Sequence, residues 1–205
     1  MKPINVCNRE EYIMIIGLMG GVGSGKSTVL NYLRDQYNAE IIQSDMVAKE
    51  VMKPGFEAFN EIKQAFPDVI SDNAINNNRL AGIVFNDKEK LKQLNSITHP
   101  ATVKEIISRI NSSSKNIIVV ESAILPGSGL EEICDELWFV FCEKETRIKR
   151  LMDSRGYTRE KALNIINNQP TDEEYNTISD EFIDNSYSEN KTREHIDYIL
   201  SLREC

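Results

Sequence analysis

The 205-residue sequence has only four cysteines, Cys7, Cys134, Cys142 and Cys205. None stands at C-x-x-C spacing or beside a histidine cluster, so no zinc site can be read and free thiols are expected. No apolar run approaches the length of a membrane span. Pro3 and nearby charges interrupt the first eleven residues before a signal-like segment develops, so the expectation is a cytoplasmic protein with no membrane partner. Positive charge is also in deficit: 24 Lys and Arg stand against 32 Asp and Glu, a net charge of -8. That balance excludes broad neutralisation of nucleic-acid phosphates, so any phosphate must be held locally. There is no internal repeat, and the runs Asn76–Asn78 and Ser112–Ser114 are too short to be low-complexity domains. Hydrophobic residues at 40% and charged residues at 27% suffice for a globular chain of about one domain with elaborations. Nothing in the sequence sets an oligomeric state, and a monomer is compatible with it.

The apolar run from Tyr12 to Ile16, closed by Gly17, lacks polar alternation and predicts a buried strand. From Lys26, Val29, Leu30 and Leu33 share a helical face. Ala39–Ile42 reads as a second strand, followed by a helix to about Met52 that Pro54-Gly55 stops. The region from 46 to 115 holds no convincing strand but several helical stretches, and Pro100 predicts a break or kink near His99. Strand character returns at Ile117–Val120 and Leu137–Phe141. Helices are expected over 143–154 and 159–168, a capping box at Thr171 and Glu174, and a short strand at Phe182-Ile183. The stripe Ile196, Ile199 and Leu202 predicts a closing helix. Strands alternating with helices imply an α/β fold with a parallel sheet.

Chemistry concentrates after the first strand, where Gly20–Ser27 fits G-x-x-x-x-G-K-[ST] between a strand and a helix. In such a loop Gly21, Val22, Gly23, Ser24 and Gly25 turn backbone N–H groups toward phosphate oxygens, with the helix N-terminus adding partial positive charge. Lys26 reaches the β and γ phosphates, Ser27 offers a hydroxyl to Mg²⁺, and Thr28 is a further contact. A nucleoside triphosphate is therefore expected, and the absence of N-K-x-D argues against a guanine reader. Asp45, at the end of the second strand, reads either as a base accepting a hydroxyl proton or as the N-cap of a helix starting at Met46. Glu121 reads either as a group touching Mg²⁺ through water or orienting a neighbour, or as a solvated strand end. Basic residues cluster between Lys144 and Lys161. Arg147, Arg150 and Arg155 are candidates for a lid over a transferring phosphoryl group, the alternative being a solvated helix face. His99 reads as a capping, packing or functional histidine.

With these residues assembled, the chain from about Ile13 to Asn185 resembles the dephospho-CoA kinase family. The resemblance is carried by Gly20–Thr28, Asp45–Val51 with Pro54-Gly55, Arg79-Leu80, Val84-Phe85, Leu94–Pro100, Arg150–Met152, Gln169 and Asp180–Asn185. It implies a P-loop kinase fold: a parallel sheet core flanked by helices over 12–45, 116–142 and 172–205, a helical substrate-binding insertion over 46–115, and a helical lid over 143–171. It also implies transfer of the γ-phosphoryl group of ATP, with Mg²⁺, to the ribose 3′-hydroxyl of dephospho-CoA. Asp45 then falls on the general base, and Arg79, His99 and Arg150 on substrate or lid positions. The same resemblance implies that Asn185 lies near the adenine. The sequence departs from the family at Gln43, where many members carry aspartate, at Ala123–Gly127, and at Ser154, where a lid arginine is expected and Arg155 follows one place later. Two alternatives stand beside this reading: a small-molecule kinase with another acceptor, and a nucleotide-binding module whose catalysis has decayed.

Overall fold

A computed structural model describes residues 13–122 and 129–203. In chain order the elements are β1 (Met14–Met19), α1 (Lys26–Tyr37), β2 (Glu40–Gln43), α2 (Ser44–Val51), α3 (Glu57–Ala65), β3 (Ile70–Ser71), β4 (Ala74–Ile75), α4 (Asn77–Val84) and α5 (Lys88–Ser112). There follow β5 (Ile117–Glu121), β6 (Glu136–Phe141), α6 (Lys144–Arg155), α7 (Arg159–Asn167), α8 (Asp172–Ile178), β7 (Glu181–Asp184) and α9 (Glu189–Ser201). They form two compact units, one built from the chain up to Ile41 together with Ser114 onward, the other from Ile42 to Ser113.

The first unit is organised by a sheet in the order β2-β5-β1-β6-β7, whose β1–β5, β1–β6 and β6–β7 pairs are all parallel. The central strand β1 is buried on both faces, so it reads as a continuous apolar run. On one face Ile16, Leu18, Val119, Trp138, Val140 and Ile183 pack with Val29 and Leu33 of α1 and Ile196 and Ile199 of α9. On the other, Phe139 stacks on the fully buried Tyr175 of α8 at 5.1 Å between ring centroids. Tyr32 and Tyr37 of α1 both donate to Asp197 of α9 at 2.7 Å, which locks those helices together beneath the sheet. The strand order reverses at β1, and a crevice at the carboxyl end of such a strand is where open α/β sheets take ligands.

The second unit is helical, with α5 packing on α2, α3 and α4 around Ile62, Phe66, Val69, Leu80 and Val84. Here the break expected at Pro100 does not occur, and a strand pair stands where no strand was expected. Pro100 lies inside the unbroken helix α5, because Thr98, Thr102, Ile106 and Ile110 keep one buried stripe at four-residue spacing across it. Burial of that stripe, with Thr98 and Thr102 donating back to the carbonyls of Leu94 and Thr98, outweighs the single backbone bond that proline removes. The unit also contains the antiparallel pair β3–β4, closed by Asp72 and Asn73 at φ of 50° and 56°. Two-residue strands leave no periodicity to read; the signal lay in the turn residues, which tolerate positive φ. In the first unit Leu202 falls just past the end of α9 and is exposed, its place in the buried face taken by Leu200. The Thr171–Glu174 capping box forms as expected.

Two glycines make opposite predictions. A Cβ on Gly17 of β1 would lie 2.6 Å from Leu137 Cδ2 and 2.9 Å from Cys134 Sγ, whereas one on Gly82 of α4 would meet nothing within 4 Å. Gly17→Ala should therefore destabilise by about 1–3 kcal/mol and Gly82→Ala stabilise by about 0.5–1 kcal/mol, read by urea titration. Burial next to Gly17, aided by Asp135 and Glu131, pushes the Cys134 thiol from 9.0 up to about 12. Above pH 9.0 the unfolded chain therefore holds fewer protons than the folded one, and stability should fall as pH rises toward 12. Cys134→Ala should flatten that alkaline limb of a Tm-against-pH curve.

Candidate active site

β1 ends in Met19, and the chain turns sharply through Gly20, Gly23 and Gly25 at φ of 146°, 79° and 87° before α1 begins at Lys26. Such angles are open to glycine and strained for other residues. The first turn of α1 brings N–H groups without intrahelical acceptors and a favourable field for an anion. Lys26 Nζ donates to the Gly20 carbonyl at 2.8 Å and stands 3.5 Å from Glu121 Oε1. Both side chains are only 14% exposed, so Glu121 is an ion-paired group at the end of β5 rather than a solvated strand end. Ser27 is exposed and Thr28 half-buried, its N–H bonded to the Gly25 carbonyl at 2.9 Å.

Side chains distant in sequence hold the loop from behind. Asn185, just beyond β7 and 2% exposed, donates Nδ2 to the Ser24 carbonyl at 2.7 Å and accepts from Thr192 Oγ1 at 2.9 Å. Arg150 donates to Ser24 O at 3.2 Å and Asn185 O at 2.9 Å, and one of its nitrogens is 3.4 Å from Cys142 Sγ. Burial raises the Cys142 thiol above its usual range, with the Arg150 guanidinium opposing. Arg147, grouped with the lid arginines from sequence, is 4% exposed and packed beneath the loop. It bonds Val22 O at 3.0 Å, Gln169 Oε1 at 3.2 Å and Asp172 Oδ1 at 3.4 Å. It is no solvent-facing lid cation. Gln169 Oε1 also accepts from Val22 N at 2.7 Å. The roles of Gln169 and Thr192 had no local sequence signal, since their partners lie 147 and 7 residues away and only the fold aligns them.

Arg155, the last residue of α6, is exposed, and Ser154 turns its hydroxyl back to the Arg150 carbonyl at 2.6 Å. In the helical unit, Asp45 is the exposed second residue of α2. Because α2 starts at Ser44 with Gln43 as its N-cap, Asp45 is not the helix cap. Arg79 and His99 are exposed on α4 and α5. The departure at Ala123–Gly127 lies outside the described residues, as do Cys7 and Cys205. Among the described residues no group of three His, Cys, Asp or Glu side chains could hold a metal ion, and no helix is long and apolar enough to cross a membrane.

A parallel sheet with a G-x-x-x-x-G-K-S loop at the end of its central strand, Lys26 set over that loop, defines a P-loop kinase. The dephospho-CoA kinase family model matches residues 14–191. A dephospho-CoA kinase of Carboxydothermus hydrogenoformans is 40% identical over 191 residues, covering 91% of this chain and 92% of its own. One of Oceanobacillus iheyensis is 33% identical over 192 residues, covering 91% and 96%. The chain belongs to the dephospho-CoA kinase family. A crystal structure from Thermus thermophilus superposes with a TM-score of 0.79 at 26% identity, covering 93% of this chain and 98% of that one. Shikimate kinase from Acinetobacter baumannii shares the fold, with a TM-score of 0.55 at 16% identity over 95% of this chain and 97% of its own.

A Cβ at Gly25 would overlap Asn185 Nδ2 at a φ of +87°, whereas one at Gly156, φ +62°, meets nothing within 4 Å. Gly156→Ala should show only the backbone cost of about 1 kcal/mol, and Gly25→Ala a loss of about 1–3 kcal/mol beyond that, with nucleotide binding by calorimetry weakened only in the latter.

Proposed function

We propose that the protein transfers the γ-phosphoryl group of ATP to the ribose 3′-hydroxyl of dephospho-CoA, giving coenzyme A and ADP, the last step of coenzyme A biosynthesis, in the cytoplasm. The observation that carries this reading is the glycine loop with Lys26 seated over it, in a chain of this family. ATP lies along Gly21–Thr28, its phosphates on the α1 N-terminus and on loop N–H groups other than that of Val22, which Gln169 holds instead, with Lys26 exchanging the Gly20 carbonyl for phosphate oxygens. Arg150 and Asn185 serve the ATP site by holding Ser24, with Asn185 on the adenine side. The region 46–115 binds dephospho-CoA, with Arg79 and His99 as substrate contacts, and 143–171 forms the lid, with Arg155 as its outward cation. The core comprises 12–45, 116–142 and 172–205.

In the reaction Asp45 accepts the proton of the 3′-hydroxyl as its oxygen bonds the γ-phosphorus. The bond from that phosphorus to the β–γ bridging oxygen breaks, and ADP leaves. The residues fit Mg²⁺, which keeps several waters and takes few protein ligands beside substrate phosphates. The exposed Ser27 hydroxyl would hold it directly and Glu121 through water, while Ser24 Oγ is buried and has no hydrogen-bond partner among the described residues. When bound, the ion neutralises charge on the β and γ phosphates. Recognition of nucleic acid or of a membrane has no place in this scheme.

Coupled ADP release should depend on both Mg²⁺ and dephospho-CoA, with AMP and other nucleotides inert and the product heavier by one phosphate. Asp45→Asn should lower kcat by about 10²–10⁴ while leaving ATP affinity intact. An active Asp45→Asn enzyme would sink the base assignment. Folded, ATP-binding protein without dephospho-CoA turnover would sink the substrate.

A further inference from the structure

We propose that Gln169 and Arg147 are positioning residues that set the shape of the phosphate loop by gripping Val22, coupling the loop to the segment joining α7 and α8. Val22 is held in three ways. Its N–H is accepted by Gln169 Oε1 at 2.7 Å, its carbonyl accepts from Arg147 Nε at 3.0 Å, and its side chain packs against the cluster of Ile148, Leu151, Ala162 and Ile166 formed by α6 and α7. The N–H and carbonyl of one residue belong to different peptide planes, so fixing both fixes the path of the loop on either side of Val22. Gln169 Oε1 closes the arrangement by also accepting from Arg147 Nη2 at 3.2 Å, while Asp172 at the start of α8 takes Nη1 at 3.4 Å. Each nitrogen of Arg147 thus has an acceptor within the protein, and its guanidinium occupies the space where a Cβ on Gly21 would stand. Gly21 is glycine so that this arginine can lie against the backbone. Movement of Gln169-Pro170 therefore turns the Val22 peptide groups.

The inference rests on the proposed use of this loop by ATP, but its structural half can be read without nucleotide. In the full chain, Gln169→Leu should speed amide hydrogen exchange at Val22 by at least about tenfold, with a cooperative thermal melt retained. It should raise KM for ATP by about tenfold while KM for dephospho-CoA stays within about twofold. Gln169→Glu keeps the acceptor oxygen and should keep Val22 exchange slow. Gln169→Asn is one methylene too short, should behave as Gln169→Leu does, and replaces it if that variant does not fold. Wild-type Val22 exchange in the Leu or Asn variant, loss of protection in the Glu variant, or an unmoved KM for ATP with only kcat reduced would each overturn the proposal. If wild-type protein fails to bind ATP, the functional reading fails, and Val22 exchange alone then judges the grip.

Discussion

A loop that offers its backbone N–H groups to an anion cannot also use them to hold itself together, so something else must fix it. Glycine makes the demand harder, because the residues that permit the turn are those that lose most entropy when ordered. Here one internal turn bond, from Ser24 N–H to Gly21 O at 3.2 Å, is supplemented by grips on the carbonyls and one further N–H: Gly20 O by Lys26, Val22 by Arg147 and Gln169, Ser24 O by Asn185 and Arg150. Each such bond contributes only about 0.5–1.5 kcal/mol net, somewhat more where the donor is charged. Several acting on three alternate residues offset part of the backbone entropy that this short segment loses.

That requirement explains why the far end of the chain is built as it is. β7 pairs in parallel with β6, and Asn185 N bonds Phe141 O at 2.9 Å, which delivers Asn185 to the loop at the carboxyl edge of the sheet. Thr192 of α9 then takes Asn185 Oδ1 and thereby orients the amide so that its NH₂ faces Ser24. Arg150 joins the same group by reaching both Ser24 O and Asn185 O from α6. The parallel sheet thus provides the core and also aligns partners separated by 161 residues, as Ser24 and Asn185 are.

The loop itself was legible in the sequence because its constraints are local: a buried strand, glycines at fixed offsets, Lys26 and Ser27, then a helix. The strands β1, β5 and β6 were legible for the same reason, each being an apolar run with clear edges. The grip was not. Arg147 is an ordinary basic residue on a helix whose neighbours at 144, 149 and 150 are also basic, and nothing local distinguishes the one that is 4% exposed. Gln169 is marked by the family resemblance, but its place between helices gives no sign of its acceptor role. The unbroken α5 and the β3–β4 pair were misread because local rules were outweighed in one case by a buried stripe and in the other were too short to register.

The arginines of α6 show how one helix divides a small supply of positive charge in a protein of net charge -8. At about 100° per residue, Arg147 and Arg150 fall about 60° apart on one face, and position 154 lies between them in projection. That face meets the loop, which is why its arginines have backbone carbonyls as partners. An arginine at 154 would add a third cation to the same face, one turn further along. Ser154 instead bonds back to the Arg150 carbonyl, and the next cation, Arg155, is turned by about 100° and exposed. Arg147 and Arg150 are therefore committed to holding the loop, and Arg155 is the cation of the three that α6 leaves on an exposed surface. The one-residue displacement thus moves charge from a loop-facing site to an outward one, where solvent screening weakens it until a ligand excludes water.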